Sequence, residues 1–147
     1  MDQHKSEITF NNLPSIGAEK ALERGLYAVA HEEGYTLGTL IYNFVPREKI
    51  VEINTQYLDH HYSTDIITFD YVEGKQVNGE IYICPEEVYD NAAHYGVSDQ
   101  KELQRVIVHG LLHLCGYADH TDAEQQIMTS MENKYLTVLE KMDDGEV

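Results

Sequence analysis

Positive charge is scarce in this chain: 10 Lys and Arg stand against 26 Asp and Glu, for a formal net charge of −16. Each nucleic-acid phosphate that a protein neutralises needs a nearby cation, so the long-range field here repels a polyanion and argues against simple nucleic-acid binding. Three things can offset it: bound metal ions, a local cluster from Lys20, Arg24, Arg47, Lys49, Lys101 and Arg105, or docking on a partner that is itself basic. An acidic surface that only keeps the protein in solution is the plainer explanation. Cysteine is also sparse. Cys84 and Cys115 lie 31 positions apart with no CxxC and no disulfide-scaffold spacing, so they read as reduced thiols in small core positions. No apolar run approaches the roughly 20 residues that cross a bilayer. The start, Met1-Asp2-Gln3-His4-Lys5, lacks the basic and then apolar blocks of a signal peptide. A cytoplasmic location is expected, with neither membrane nor DNA as partner. Repeats, low-complexity tracts and Pro/Ser linkers are missing too.

What remains is an ordinary globular chain. Its 147 residues suit one domain, 1–147, large enough to bury about two thirds of the unfolded surface. Residues 8–10 read as a short strand, and 18–33 as an amphipathic helix with Ala21, Leu22, Leu26, Val29 and Ala30 at helical spacing, closed by Gly34. Residues 36–44 alternate as a strand, and 47–58 carry Ile50, Ile53, Asn54 and Tyr57 on one helical face. Strands over 65–71 and 80–84, joined through the polar stretch 73–79, suggest a hairpin. Three helices follow, 86–95, 99–115 from an N-cap at Ser98, and 122–141 from an N-cap at Thr121, and the tail 143–147 is expected to be loose. The expected fold is α+β, a small mixed four-stranded sheet covered by about five helices.

The chemistry concentrates in residues 109–120. On a helix, positions four apart are displaced by only about 40° around the axis, so His109 and His113 project side by side and can share one ion. Gly116, seven positions after His109, supplies a left-handed cap that turns the chain back, and Asp119 and His120 follow. The pattern H-x-x-x-H-x-x-G-x-x-D has the ligand spacing of the metzincins, with Asp at the tenth position in place of His. Spacing favours Asp119 as third ligand; side-chain chemistry favours His120, since zinc takes either donor. Three protein ligands leave a fourth position for water, the layout of a catalytic zinc site. A His pair alone arises often by chance, and a lone His on a buried helix is more often a hydrogen-bonded core residue. The turn glycine and two further donors within reach weigh against that here. Leu103, Val106, Ile107, Leu111, Leu112 and Leu114 cover the other faces, so the metal site is expected on a buried central helix, where unpartnered imidazoles are costly. Gly110 stands where H-E-x-x-H peptidases carry their general base. A base must come from elsewhere, and Asp65, Glu80 or the non-ligating member of Asp119 and His120 are candidates.

At this point the segment resembles the YbeY endoribonucleases, whose signature H-G-x-L-H-L-x-G-Y-D-H is matched at its fixed positions from His109 to Tyr117. Upstream, Ser63-Thr64-Asp65-Ile66-Ile67-Thr68-Phe69 is similar to the family's T-D-V-L-S-F strand, and Gly79-Glu80-Ile81-Tyr82-Ile83-Cys84 to its G-D-I-x-I-C strand. The likeness spans about residues 45 to 140. It implies a single-domain α+β protein with one zinc ion on three ligands, and a single-strand-specific endoribonuclease acting in small-subunit ribosomal RNA maturation and ribosome quality control. By position, His109 and His113 match the first two zinc ligands. Ala118 is interposed before Asp119 and His120, and an ungapped register puts Asp119 where the family's ligand His lies. Where the family often has Arg after the Tyr of an earlier helix, this chain has Leu58 after Tyr57; His60 and His61, just downstream, are candidate phosphate or transition-state contacts. Two other functions compete. One is a ribosome-associated factor with a structural metal, its acidic surface docking on basic proteins of the small subunit; the other is a zinc peptidase, disfavoured by Gly110.

Overall fold

The computed structural model describes residues 6–15 and 19–144. Four strands, β1 (Glu7–Asn11), β2 (Thr36–Phe44), β3 (Ile66–Asp70) and β4 (Gln76–Ile83), form one sheet in the order β1-β2-β4-β3. The first three in that order run parallel to their neighbours, and β3 pairs antiparallel to β4 at the edge. Five helices, α1 (Glu19–Glu32), α2 (Arg47–Leu58), α3 (Pro85–Tyr95), α4 (Asp99–Leu114) and α5 (Asp122–Asp144), cover it, so the expected α+β class and mixed sheet are what the chain forms. No described helix is long and apolar enough to cross a membrane. Ala18 and Met1 to Lys5 lie outside the described residues, as do 145–147 of the expected loose tail; Asp143 and Asp144 continue α5.

Two boundaries differ from expectation. Strand β4 starts at Gln76 rather than Glu80, and β3 ends at Asp70. The run Gln76-Val77-Asn78-Gly79, which carries one apolar residue, hides a strand because it lies between two partners, pairing with Thr36 to Leu40 of β2 and with Asp70 of β3. Asn78 also repairs the irregular register of β2, its Oδ1 accepting from Thr39 N at 2.8 Å. The hairpin turn therefore shrinks to the segment around Gly74, bridged by Glu73 and Gln76.

Strand alternation sends Ile81 and Ile83 to one face, toward α4, and Tyr82 to the other, where Ile50 and Ile53 of α2 pack on Ile67 and Cys84. Helix α4 lies between the sheet and the outer helices. Leu103, Val106, Ile107, Val108, Leu111, Leu112 and Leu114 are all buried, as expected of a helix that is apolar nearly all round. Each full burial contributes about 1.5–3 kcal/mol. The hydroxyl of Tyr42 on β2 donates to Ile107 O at 2.8 Å, tying the sheet to α4 without leaving a buried donor unpaired.

At Gly110, α4 packs tightly on the sheet. A Cβ there would stand 2.8 Å from Ile81 Cδ1 and 3.2 Å from Ile66 Cδ1. The residue after the first histidine thus faces packed apolar side chains, with no room for a glutamate. Gly110→Glu, which restores the peptidase motif on paper, buries a carboxylate without a partner; urea denaturation is expected to show a loss of about 4 kcal/mol or more. A near-wild-type midpoint contradicts this packing.

Candidate functional site

Both ends of the segment after α4 are fixed by local chemistry. Gly116, with φ +102, leaves the helix in a left-handed cap: Tyr117 N donates to Leu112 O and Gly116 N to His113 O. This is the expected glycine turn. At the other end Thr121 Oγ1 accepts from Glu124 N at 3.1 Å, while Glu124 Oε1 accepts from the amides of Thr121 and His120 at 3.0 Å each. That capping box opens α5. Gln125 Nε2 donates to Asp119 O at 3.1 Å, so Asp119 is held from both sides.

Beside this loop a cavity of about 690 Å³ opens between α4, α5, the end of α3 and the entry to β3; Asp65, Glu102, Arg105, His109, Asp119 and Glu132 line it. His109 is its centre. Its Nδ1 donates to Glu132 Oε2 at 2.6 Å, and its Nε2 stands 3.4 Å from Asp119 Oδ2. Glu132 also accepts from Arg105 Nη1 at 3.0 Å, and the other guanidinium nitrogen, Nη2, donates to Asn133 Oδ1 at 2.8 Å. Arg105 Nε lies 3.8 Å from Glu102 Oε1. Burial opposes protonation of His109, but the hydrogen bond and charge of Glu132, with Asp119 and Asp65, outweigh it and hold its pKa above the ordinary value. Burial also lifts the Asp65 carboxyl, against the pull of His109, and that of Glu102, against Arg105. A carboxyl raised this way in a cleft suits proton transfer.

The structure therefore brings together Asp65, His109 and Asp119 of the residues expected from the sequence. His113 is half-buried, one turn along α4, and does not line this cavity. His120 is exposed and engages Glu124 through its amide. His60 stands apart from the cavity lining, stacked on Tyr62 at 5.1 Å, and His61 lies 3.6 Å from Asp59. Glu80 is hydrogen-bonded by Tyr71 and shares the α2 side of the sheet with Tyr57 and Tyr82, away from α4. Sequence reasoning missed Glu102 and Glu132 and left Arg105 among scattered cations. Their signal was spacing: Glu102 and Arg105 precede His109 by seven and four positions on an otherwise apolar helix, and Glu132 interrupts the buried stripe Met128, Tyr135, Leu136 and Leu139 of α5.

Among the described residues, no three His, Cys, Asp or Glu side chains gather closely enough to hold a metal ion. The donor set nonetheless fits zinc as far as it converges. Two donors about 2.1 Å from one tetrahedral ion stand about 3.4 Å apart, which is the separation of His109 Nε2 and Asp119 Oδ2. A carboxylate on the other ring nitrogen is the usual support of a metal-binding imidazole.

Fold and cleft together define an α+β protein with a mixed sheet and a histidine-carboxylate site on its central helix. The profile described as Endoribonuclease YbeY matches residues 2–140. Relatives named Endoribonuclease YbeY include one from Parabacteroides distasonis, 44% identical over 127 residues, 86% of this chain and 89% of the relative. Another, from Bacteroides thetaiotaomicron, is 46% identical over 110 residues, 75% of this chain and 80% of its own. A solution structure from Thermotoga maritima superposes with a TM-score of 0.69 at 29% identity, covering 90% of this chain and 89% of that one. This chain belongs to the endoribonuclease YbeY family.

Replacing Glu132 tests the site directly. Glu132→Gln leaves Arg105 and the His109 imidazolium without their shared anion and is expected to cost about 2 kcal/mol. The folded pKa of His109 is raised, so its contribution is complete below the ordinary histidine value and fades as pH climbs through the raised one. In metal-free protein the urea midpoint of the variant should fall furthest below wild type near about pH 5.5 and less near about pH 8.5, with the Arg105 pairing accounting for the remainder. Equal deficits at both pH values contradict the pairing.

Proposed function

We propose that this chain is a zinc-dependent, single-strand-specific endoribonuclease acting in small-subunit ribosomal RNA maturation and ribosome quality control. It works in the cytoplasm with the small ribosomal subunit and its basic proteins. The relatives named Endoribonuclease YbeY support a nuclease role. The observation that carries the metal reading is the line from Glu132 through His109 to Asp119.

His109, His113 and Asp119 would hold one zinc ion, with His120 the alternative to Asp119. Bound there, zinc supplies a Lewis acid for a phosphoryl oxygen and lowers the pKa of a coordinated water. Glu132 fixes the ring of His109 and keeps the proton on Nδ1. Asp65, its carboxyl lifted by burial, takes the proton of the attacking hydroxyl and returns it to the leaving oxygen. Among the described residues Arg105 places the one lysine or arginine charge at the cavity wall, in a chain that carries Leu58 where the family often has Arg. His60, on its exposed loop, is a contact for RNA beyond the cut.

The second reading, a ribosome-associated factor with a structural metal, is favoured by the net charge of −16. It requires co-sedimentation with small subunits to survive His109→Ala while no RNA is cut.

Zinc-loaded protein is expected to cleave a single-stranded ribosomal RNA fragment and to spare the same sequence as a duplex. His113→Ala should weaken zinc binding by at least about 100-fold, the upper range of outer-shell changes, and cleavage should fall with it. RNA left intact by zinc-loaded wild type, or cut equally by His113→Ala, removes the proposal. Products ending in cyclic phosphate would identify the 2′-hydroxyl as nucleophile.

A further inference from the structure

Behind the cleft, Glu33, just beyond the end of α1, accepts two phenolic hydroxyls that come from different elements. Oε1 accepts a hydrogen bond from the hydroxyl of Tyr117, in the loop after α4, at 2.8 Å, and Oε2 a short one from that of Tyr135 on α5. Tyr117 lies two positions before Asp119, and Tyr135 three positions after Glu132, nearly one helical turn along α5. The two groups flanking His109, Asp119 on Nε2 and Glu132 on Nδ1, thus belong to segments that meet at one carboxylate on a third element. We infer that Glu33 is a positioning residue, a keystone that sets the Asp119 loop and the Glu132 helix at a fixed separation across His109.

Several features make Glu33 more than a surface acceptor. Tyr135 is 1% exposed, so its hydroxyl needs a partner, and Glu33 is the acceptor. Tyr35, two residues beyond Glu33, donates to Cys115 O at 3.1 Å and grips the start of the same loop. The strand entry after α1 therefore holds residues 115 and 117 by two separate bonds. Gly116 between them takes a backbone conformation that few other residues adopt. Together with the capping box at Thr121, these bonds tie the loop down on both sides of Asp119.

This inference rests on the proposed metal site only for its zinc measurement, and the exchange measurement stands without it. Amide hydrogen exchange in metal-free protein is read for Glu33→Ala, Glu33→Gln and the milder Tyr117→Phe. Zinc affinity is read by competition with a chromophoric chelator. Glu33→Ala is expected to speed exchange at 116–121 by about ten-fold while sheet amides keep their wild-type rates, and to weaken zinc by about ten-fold, as outer-shell changes do. Tyr117→Phe should move both in the same direction by less, and Glu33→Gln, which keeps an acceptor oxygen, should recover part of the loss. Wild-type exchange at 116–121 in both Glu33→Ala and Tyr117→Phe overturns the inference. So does uniform acceleration across the sheet, which would make Glu33 a stability residue only. If wild type binds no zinc while the loop exchange still responds, the metal reading fails and the keystone stands.

Discussion

Glu132, only 6% exposed, has its carboxylate held between an arginine and a histidine, and the surrounding site takes its geometry from that pairing. A buried anion without partners costs several kcal/mol, and it is tolerated only where cations and hydrogen bonds meet it at good geometry. Arg105 and His109 stand one turn apart on α4, so one carboxylate can reach both only if α5 crosses α4 at that turn. The apolar stripe of Met128, Leu136 and Leu139 drives the same crossing by burial. Burial supplies most of the energy of this docking, and Glu132 selects which turn of α4 faces which turn of α5.

That selection reaches the chemistry through the imidazole. With Nδ1 committed to Glu132, only Nε2 of His109 is left to face the cavity and Asp119. As imidazolium the ring donates to Glu132 and faces Asp119 as an ion pair; neutral, it presents a lone pair toward Asp119. A proton and a metal ion compete for that lone pair, so the carboxylates that raise the affinity of His109 for one raise it for the other. The same contact that stabilises the metal-free cleft is the outer support of the proposed ligand.

Much of this was readable in the residues. The glycine turn at Gly116 and the N-cap at Thr121 follow from helix geometry within about a dozen residues, and both stand where local rules put them, whereas of the two histidines four apart only His109 lines the cavity. The all-round apolar character of α4 marked it as central. What escaped depends on separation in sequence. Glu132 lies 23 residues from His109 and its role exists only once α5 has docked. The residues Gln76 to Gly79 that open β4, with a single apolar side chain among them, look like loop until β2 and β3 close on both sides. His60 and Glu80 carried suitable chemistry but were sent elsewhere, His60 by the left-handed turn at Asp59 that ends α2, Glu80 by the pleat of β4.

Charge constrains how such a cleft can meet a phosphodiester. Asp65, Glu102, Asp119 and Glu132 line the cavity against one arginine and one histidine, and the arginine is already engaged by Glu132 and Asn133. Burial of Asp65 and Glu102 makes this concentration of negative charge costly and lifts both carboxyl pKa values above the ordinary one. The excess still repels phosphate, and the whole-chain charge of −16 adds to it. An anionic substrate can approach only if a cation binds first and reverses the local sign, as a divalent ion does at the centre of a carboxylate site. The acidity that argues against plain nucleic-acid binding is thus, at this one place, what the proposed zinc site requires: a cation taken up before the anionic substrate.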